Sequence, residues 1–450
     1  MLHPKKMTER FSALETGLII LCFCVCMAGA LLLPVNQCPD EGGRLILSNW
    51  IADRGTLPTG DEPEVIISGW GFSYALRPYL ASIVGAGFQK LAACFTDSPR
   101  ILLAASRMCS VLSVTFACVF CLRLGHLLFS KKSCALLFSA CVCFLPQVMF
   151  LGMYQNYDAL SLCAVCAILY YWAEGCERKW PVRTCVGLAV SFSVGLLSYY
   201  AVYGWILMGA VFCVLAVMTD PEIPDRGWLI LKRAALILGI CLLLAGWFFI
   251  RNAYLHDGDF FGLAAEEASR DRMREQGYVL HDNLCYRDEG LTILQFIKLD
   301  RFAWLRTTVW SFFGLFGYMT IYLPWAMYIV YYAVIAGGMI LFLAVLHKTA
   351  PCRRDILLMA MMAIASVITF FLHLWQSYAG DYQAQGRYVI TLIIPLAFML
   401  AYGADHTSMM IRDPKPGKAM ELNRAAVLTA LWLLLFAVAA LGTMTRMLPN

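Results

Sequence analysis

The sequence predicts an all-α polytopic membrane protein of about eleven transmembrane helices, with interfacial helices in its first outer loop. Three observations lead there. Of 450 residues, 60% are hydrophobic and 14% charged, with a mean hydropathy of +0.68, which leaves too little polar surface to cover soluble domains. Apolar runs of about 17–25 residues recur along the chain, each long enough to cross roughly 30 Å of hydrocarbon as a helix. Lysines and arginines gather in every second junction between those runs, as they do in cytoplasmic loops.

The runs fall near residues 12–34, 101–129, 134–153, 157–174, 184–200, 202–218, 232–250, 320–347, 355–376, 388–404 and 425–446. Lys5, Lys6 and Arg10 precede the first run, Lys131 and Lys132 join the second to the third, and Arg178, Lys179 and Arg183 join the fourth to the fifth. Arg226, Lys232 and Arg233 join the sixth and seventh, Lys348, Arg353 and Arg354 the eighth and ninth, and Arg412, Lys415, Lys418 and Arg424 the last two. The N-terminus is therefore expected in the cytoplasm and, with an odd number of spans, the C-terminus outside a cell membrane. The formal net charge of +5 is explained by this bias and gives no reason to invoke nucleic acid.

The first run has the basic start and apolar middle of a signal peptide. It is longer than a usual signal core, and Val35-Asn36-Gln37 before Cys38 lacks the small residues of a processing site, so an uncleaved anchor is expected. The 19 cysteines sit mostly inside the apolar runs, where they act as small apolar residues. Cys118 with Cys121 and Cys163 with Cys166 have CxxC spacing but no nearby histidine set, which argues against zinc. Cys38, Cys94 and Cys285 are expected outside, where a disulfide among them stays open.

Most of the polar sequence lies in two outer loops, residues 35–100 and 251–303. The first holds apolar stretches around Leu45-Ile46-Leu47, Trp50-Ile51 and Tyr79 to Phe88, interrupted by Pro58, Pro63 and Gly69; these read as interfacial helices. The second is strongly charged from Glu266 to Glu289 and reads as a partly mobile loop. No repeat or low-complexity tract divides the chain, so residues 1–450 are expected to form one membrane domain whose active face is the outer one.

Within the first loop, Cys38-Pro39-Asp40-Glu41 sets two carboxylates at a membrane exit, where charge is costly to hold and more often marks a site than filler. The pair also suits a plainer role, capping a helix that begins near Gly42. Asp61-Glu62, between Gly60 and Pro63, reads as a solvated turn. Asp158 stands at the outer mouth of the fourth run, at the same depth as Asp40, and if buried needs a cation or donor. Complementary charge comes from Arg251, Arg387, Arg107 and Arg77, whose planar guanidinium suits bidentate phosphate binding. Any one of these arginines taken singly fits a snorkelling anchor equally well.

Taken in order, the acidic pair, Asp158 after a proline-containing run, Trp247-Phe248-Phe249-Ile250-Arg251-Asn252 with Gly258-Asp259, and Gln385-Gly386-Arg387-Tyr388 resemble the GT-C superfamily of polyprenyl-phosphate-sugar glycosyltransferases. Ser311-Phe312-Phe313-Gly314-Leu315-Phe316-Gly317 with Pro324 is similar to a family of uncharacterised bacterial multi-pass membrane proteins grouped with it. The resemblance implies a GT-C-like fold and transfer of a sugar from a polyprenyl-phosphate donor to an envelope glycan or lipid acceptor. It further implies Asp40 as catalytic base with Glu41 adjoining, Asp158 assisting or holding a divalent cation together with Asp40, and Arg251, Arg387, Tyr388, Arg77 and Arg107 around the lipid phosphate. The chain departs from the pattern in carrying no large soluble C-terminal domain and in having Arg77-Pro78 where many relatives have a Pro-Pro-Leu stretch. A lipid-linked-sugar flippase and a non-catalytic envelope assembly protein are the competing classes.

Overall fold

The computed structural model describes residues 10–35, 37–281, 284–410 and 424–448. Lys5, Lys6, Arg412, Lys415 and Lys418 of the expected basic junctions lie outside them. In chain order the helices are α1 (Ala13–Leu32), α2 (Glu41–Arg54), α3 (Leu80–Ala93), α4 (Pro99–Ser106), α5 (Met108–Leu128), α6 (Lys132–Cys143), α7 (Pro146–Leu151), α8 (Asp158–Arg178) and α9 (Val182–Leu196). They continue as α10 (Tyr203–Met218), α11 (Arg226–Cys241), α12 (Trp247–Leu255), α13 (Leu263–Glu275), α14 (Ile293–Gly314), α15 (Trp325–Lys348), α16 (Arg353–Ala379), α17 (Ile393–Met410) and α18 (Arg424–Gly442). A two-residue hairpin, β1 (Leu315–Phe316) with β2 (Ile321–Tyr322), joins α14 to α15.

Among the described residues, nine helices are long and apolar enough to cross a membrane. This makes the chain a multi-pass membrane protein, and the expected count of eleven is not reached on that measure. Two expected spans are shorter than drawn. The run 134–153 divides at Pro146, which has no N–H to carry the ladder and opens α7 instead of extending α6. The run 184–200 becomes α9 of 15 residues, about 22 Å long. In the first outer loop α2 and α3 form where amphipathic segments were expected, and the charged second loop is organised by α13.

The centre of the bundle is α8, packed against α5 and α9 and buried along almost its whole length. At the rim, α11 buries none of its side chains fully: Leu229, Ile230, Leu236 and Ile237 pack half-buried against the core, while Trp228, Leu231 and Leu238 face outward as lipid-facing residues do. Ion pairs show which helix ends lie together. Glu15 at the start of α1 meets His126 at the end of α5 (2.5 Å), while Arg107 at the start of α5 reaches the Ala30 and Leu33 carbonyls at the end of α1 (2.9 and 2.7 Å). Lys179, just past α8, and Arg353, at the start of α16, both pair with Asp220 (2.8 and 2.9 Å). Asp405 in α17 accepts the backbone N–H groups of Ser130 and Lys131 (2.8 and 3.2 Å). The basic junctions therefore gather at one end, and Asp158 and Arg387 stand at the other, about 30 Å away along helices of some twenty residues.

At that second end the two long loops pack together. The His281 N–H donates to the Gly69 carbonyl (2.8 Å), Ser269 to the Gly71 carbonyl (2.9 Å), and Arg272 pairs with Asp61 (2.5 Å). Gly262 lets α13 start against the first loop, because its φ is +70° and a Cβ there would lie 2.1 Å from the Leu76 carbonyl oxygen. Asp61-Glu62 forms the expected turn, with the Glu62 carboxylate accepting from the Thr59 and Gly60 N–H groups.

Candidate functional site

Asp40 occupies the N-cap position of α2 in a left-handed conformation (φ 60°), one that Asp tolerates better than most side chains. Its carboxylate makes no capping hydrogen bond. Oδ2 instead meets Nη2 of Arg387 and Nη2 of Arg44 (3.5 Å), one turn along α2, and Oδ1 keeps no partner among the described residues. A third of the Asp40 side chain (34%) is accessible. Burial pushes its carboxyl up, but Arg387 and Arg44 outweigh that and hold it below the ordinary aspartate value.

Both arginines are buried, with unsatisfied groups. Arg44 lies over the faces of Tyr157 (4.8 Å) and Tyr74 (5.6 Å), and its Nε and Nη1 have no hydrogen-bond partner. Arg387 sits in a tight turn whose preceding residue, Gly386, is pinned by donation from its N–H to Ser311 Oγ (2.6 Å). A Cβ on Gly386 would stand 2.2 Å from the Phe312 backbone nitrogen, so the Gln385-Gly386-Arg387-Tyr388 and Ser311-Phe312 stretches are one packing unit. Arg387 donates through Nη2 to Tyr388 Oη (2.9 Å) as well as to Asp40, while its Nε and Nη1 are also unpartnered.

Asp158 opens α8 close by. It is buried, Oδ2 has no partner, and it lies within electrostatic reach of Arg387 and Arg44. A capping role is not what holds it there, because Asn156 Oδ1 already accepts the Ala159 N–H (2.8 Å) at this helix start.

The other expected site residues go elsewhere. Glu41 and Arg107 are both fully buried in a bidentate pair (Nε–Oε1 and Nη2–Oε2, each 2.7 Å); Glu41 also accepts the Gln155 N–H (2.9 Å), and Arg107 spends Nη1 on the Ala30 and Leu33 carbonyls. Neither has capacity left for a substrate, so this pair clasps α1, α2 and α5 together behind the site. Arg251 is directed to the Leu57 and Pro58 carbonyls (3.0 and 2.8 Å) and is not brought to Asp40. Arg77 does reach the cavity but is paired bidentately with Glu266 (2.8 and 2.6 Å). Cys38 is buried beside Glu41, and Cys38, Cys94 and Cys285, among which the sequence leaves a disulfide open, are free thiols.

Asp40, Arg44 and Arg77 line a cavity of about 340 Å³ roofed by both long loops, with His373 contributed by α16 and Tyr199, Gln383 and Tyr388 by the segments that follow α9 and α16. Among the described residues no three His, Cys, Asp or Glu side chains gather as a cation cage, and Asp40 faces two guanidiniums. That donor set does not fit the divalent cation suggested for Asp40 and Asp158. Sequence reasoning missed Arg44, although its i+4 spacing from Asp40 in an expected helix was a usable signal. It also missed Glu266 and His373, for which only long-range packing brings the residues in.

No protein-family model and no curated protein matches the sequence. Solved structures do match its fold. ArnT from Cupriavidus metallidurans bound to undecaprenyl phosphate aligns over 95% of this chain and 71% of its own, with 14% identity and a TM-score of 0.54; its apo state gives 0.55 over 95% and 72%, again at 14% identity. The Archaeoglobus fulgidus oligosaccharyltransferase, tethered with an acceptor peptide containing the NVT sequon, aligns over 97% of this chain but 56% of its own, with 14% identity and a TM-score of 0.51. The chain thus shares the fold of ArnT and of the oligosaccharyltransferase.

Proposed function

We propose that the protein is a membrane glycosyltransferase that moves a sugar from a polyprenyl-phosphate donor to an envelope glycan or lipid acceptor, on the extracytoplasmic side. The observation that carries this reading is the set of four buried guanidinium nitrogens, Nε and Nη1 of Arg44 and of Arg387, left without partners among the described residues around the accessible carboxylate of Asp40. Buried unpaired donors are costly, and a phosphate group supplies the acceptors they lack. The ArnT structure with undecaprenyl phosphate supports a lipid phosphate as the ligand for this fold.

In the reaction, the bond between the anomeric carbon and the phosphate oxygen breaks and lipid phosphate leaves, held by Arg44 and Arg387. The acceptor oxygen bonds to that carbon and its proton passes to Asp40. A phosphate bound on the free guanidinium edges offsets the charge that depresses Asp40, so the base strengthens once the donor is in place. Asp158 contributes negative charge beside the developing oxocarbenium. Glu41 and Arg107 act by positioning, Arg77 is available to the phosphate after exchange with Glu266, and Arg251 holds the first loop. The basic junctions gathered opposite the cavity support an N-terminus in the cytoplasm and a C-terminus outside.

The test is transfer by purified protein given radiolabelled polyprenyl-phosphate sugar and envelope acceptor. Asp40→Asn should lower turnover by roughly 10² to 10⁴ with lipid binding retained. Unchanged turnover would rule out Asp40 as the base, and movement of donor across vesicles without glycosyl transfer would favour a flippase.

A further inference from the structure

The cavity has a second polar feature that the phosphate and proton chemistry does not use. His373, near the end of α16, lines the cavity, is 5% exposed, and its Nε2 has no hydrogen-bond partner among the described residues. Its ring packs against Trp304 (centroids 5.1 Å) and Tyr388 (5.5 Å), contacts that hold its orientation. Tyr388 also stacks on Tyr199 (5.9 Å, 18° between planes), and both rings line the cavity.

Tyr388 ties this patch to the arginines. Its hydroxyl accepts from Arg387 (2.9 Å) and donates to Gln383 Oε1 (3.4 Å). Gln383 in turn accepts from Gln385 (2.7 Å) and donates to Asp381 (2.5 Å), which fixes the amide against the cavity. A group bonded directly to a phosphate on Arg387 would therefore lie beside Tyr388, His373 and Gln383. Aromatic faces with a few oriented hydrogen-bonding groups suit a ring that is apolar on its C–H face and hydroxylated at its edge. A buried unsatisfied imidazole nitrogen discriminates strongly for a ligand that completes it.

We propose that His373, with Tyr388 and Gln383, forms the subsite that reads the hydroxyls of the donor's sugar ring, and that His373 is a specificity-determining residue. The proposal rests on the polyprenyl-phosphate reading above. The lipid phosphate is held by Arg44 and Arg387, while the sugar attached to it is selected at the end of α16.

The experiment measures binding to full-length protein in nanodiscs, comparing undecaprenyl phosphate with undecaprenyl phosphates carrying glucose, mannose or arabinose. At least one sugar-bearing lipid should bind about tenfold more tightly than the bare lipid, as two or so added hydrogen bonds imply. His373→Ala and Gln383→Ala should each remove most of that increment and leave affinity for the bare lipid within about twofold, which also reports an intact fold. The proposal is overturned if none of the three sugars adds affinity, or if both variants keep the increment. It is equally overturned if the bare lipid binds and the variants weaken it as much as the sugar-bearing forms. If neither bare nor sugar-bearing lipid binds the unaltered protein, the polyprenyl-phosphate reading itself fails.

Discussion

Arg387 donates through Nη2 to the carboxylate of Asp40, 347 positions earlier in the chain, and the same oxygen faces Arg44 one helical turn beyond Asp40. One end of the molecule thus concentrates two buried guanidiniums on the carboxylate of Asp40, with four of their six nitrogens still seeking acceptors. That arrangement ties substrate binding to the state of the base, and it generates the outcomes below.

Arg44→Ala and Arg387→Ala should each weaken undecaprenyl phosphate binding by roughly ten- to a hundredfold, since each removes charge-assisted phosphate contacts worth about 1.5–3 kcal/mol. Arg387→Ala also deprives Asp40 of its nearest cation, so it should be the more damaging to turnover. Titration of detergent-solubilised variants checks this. Affinity within twofold of the unaltered protein for both would sink the phosphate assignment.

Glu41→Gln and Arg107→Ala should act on stability first. Each leaves a fully buried charge without its partner, at a cost of about 3–5 kcal/mol, and Arg107→Ala also strands the carbonyls that close α1. Thermal unfolding should show a marked drop for both. A variant with normal stability and abolished transfer would instead return Glu41 to the catalytic set.

Arg251→Ala should leave donor affinity within about twofold and lower stability by ~1–3 kcal/mol, because its two bonds go to the Leu57 and Pro58 carbonyls. Protease protection of residues 55–65 should fall with it. A large loss of donor binding at unchanged loop protection would place Arg251 at the phosphate after all.

The Asp40 contact has an acid limit. A carboxyl held below its unfolded value of about 3.9 contributes stability that is present above that pH and lost as the pH falls through the lower folded value. The stability gap between the unaltered protein and Asp40→Asn should therefore be constant from neutral pH down to about 4 and close below it. A gap that narrows well above pH 5 contradicts the depressed carboxyl.

Gly386→Ala should weaken donor binding without touching a charged group. The new methyl meets the Phe312 backbone, which cannot yield as a flexible side chain can, so the turn carrying Arg387 must move. Retained affinity with an unshifted melting temperature would show that the turn has slack the close approach does not suggest.

Much of this molecule is decided by local sequence. Apolar length determines where helices form, because a backbone in hydrocarbon has to satisfy its own hydrogen bonds, and Pro146 divides a run for the same local reason. Basic residues in alternate junctions likewise mark which ends belong together, and the Lys179–Asp220–Arg353 cluster gathers three of those junction segments. Asp40, Asp158 and Arg387 were legible as candidates because charge near a membrane is expensive and seldom without purpose. What each charge does was not. Glu41 adjoins Asp40 in sequence, yet Asp40 is the left-handed N-cap residue and Glu41 the first helical one, so Asp40 meets the cavity and Glu41 turns inward to Arg107. Arg251 and Arg387 read alike as outer-end arginines, but packing gave one to loop carbonyls and the other to Asp40. Partner choice depends on which surfaces meet across hundreds of residues, and that is information carried by tertiary packing alone.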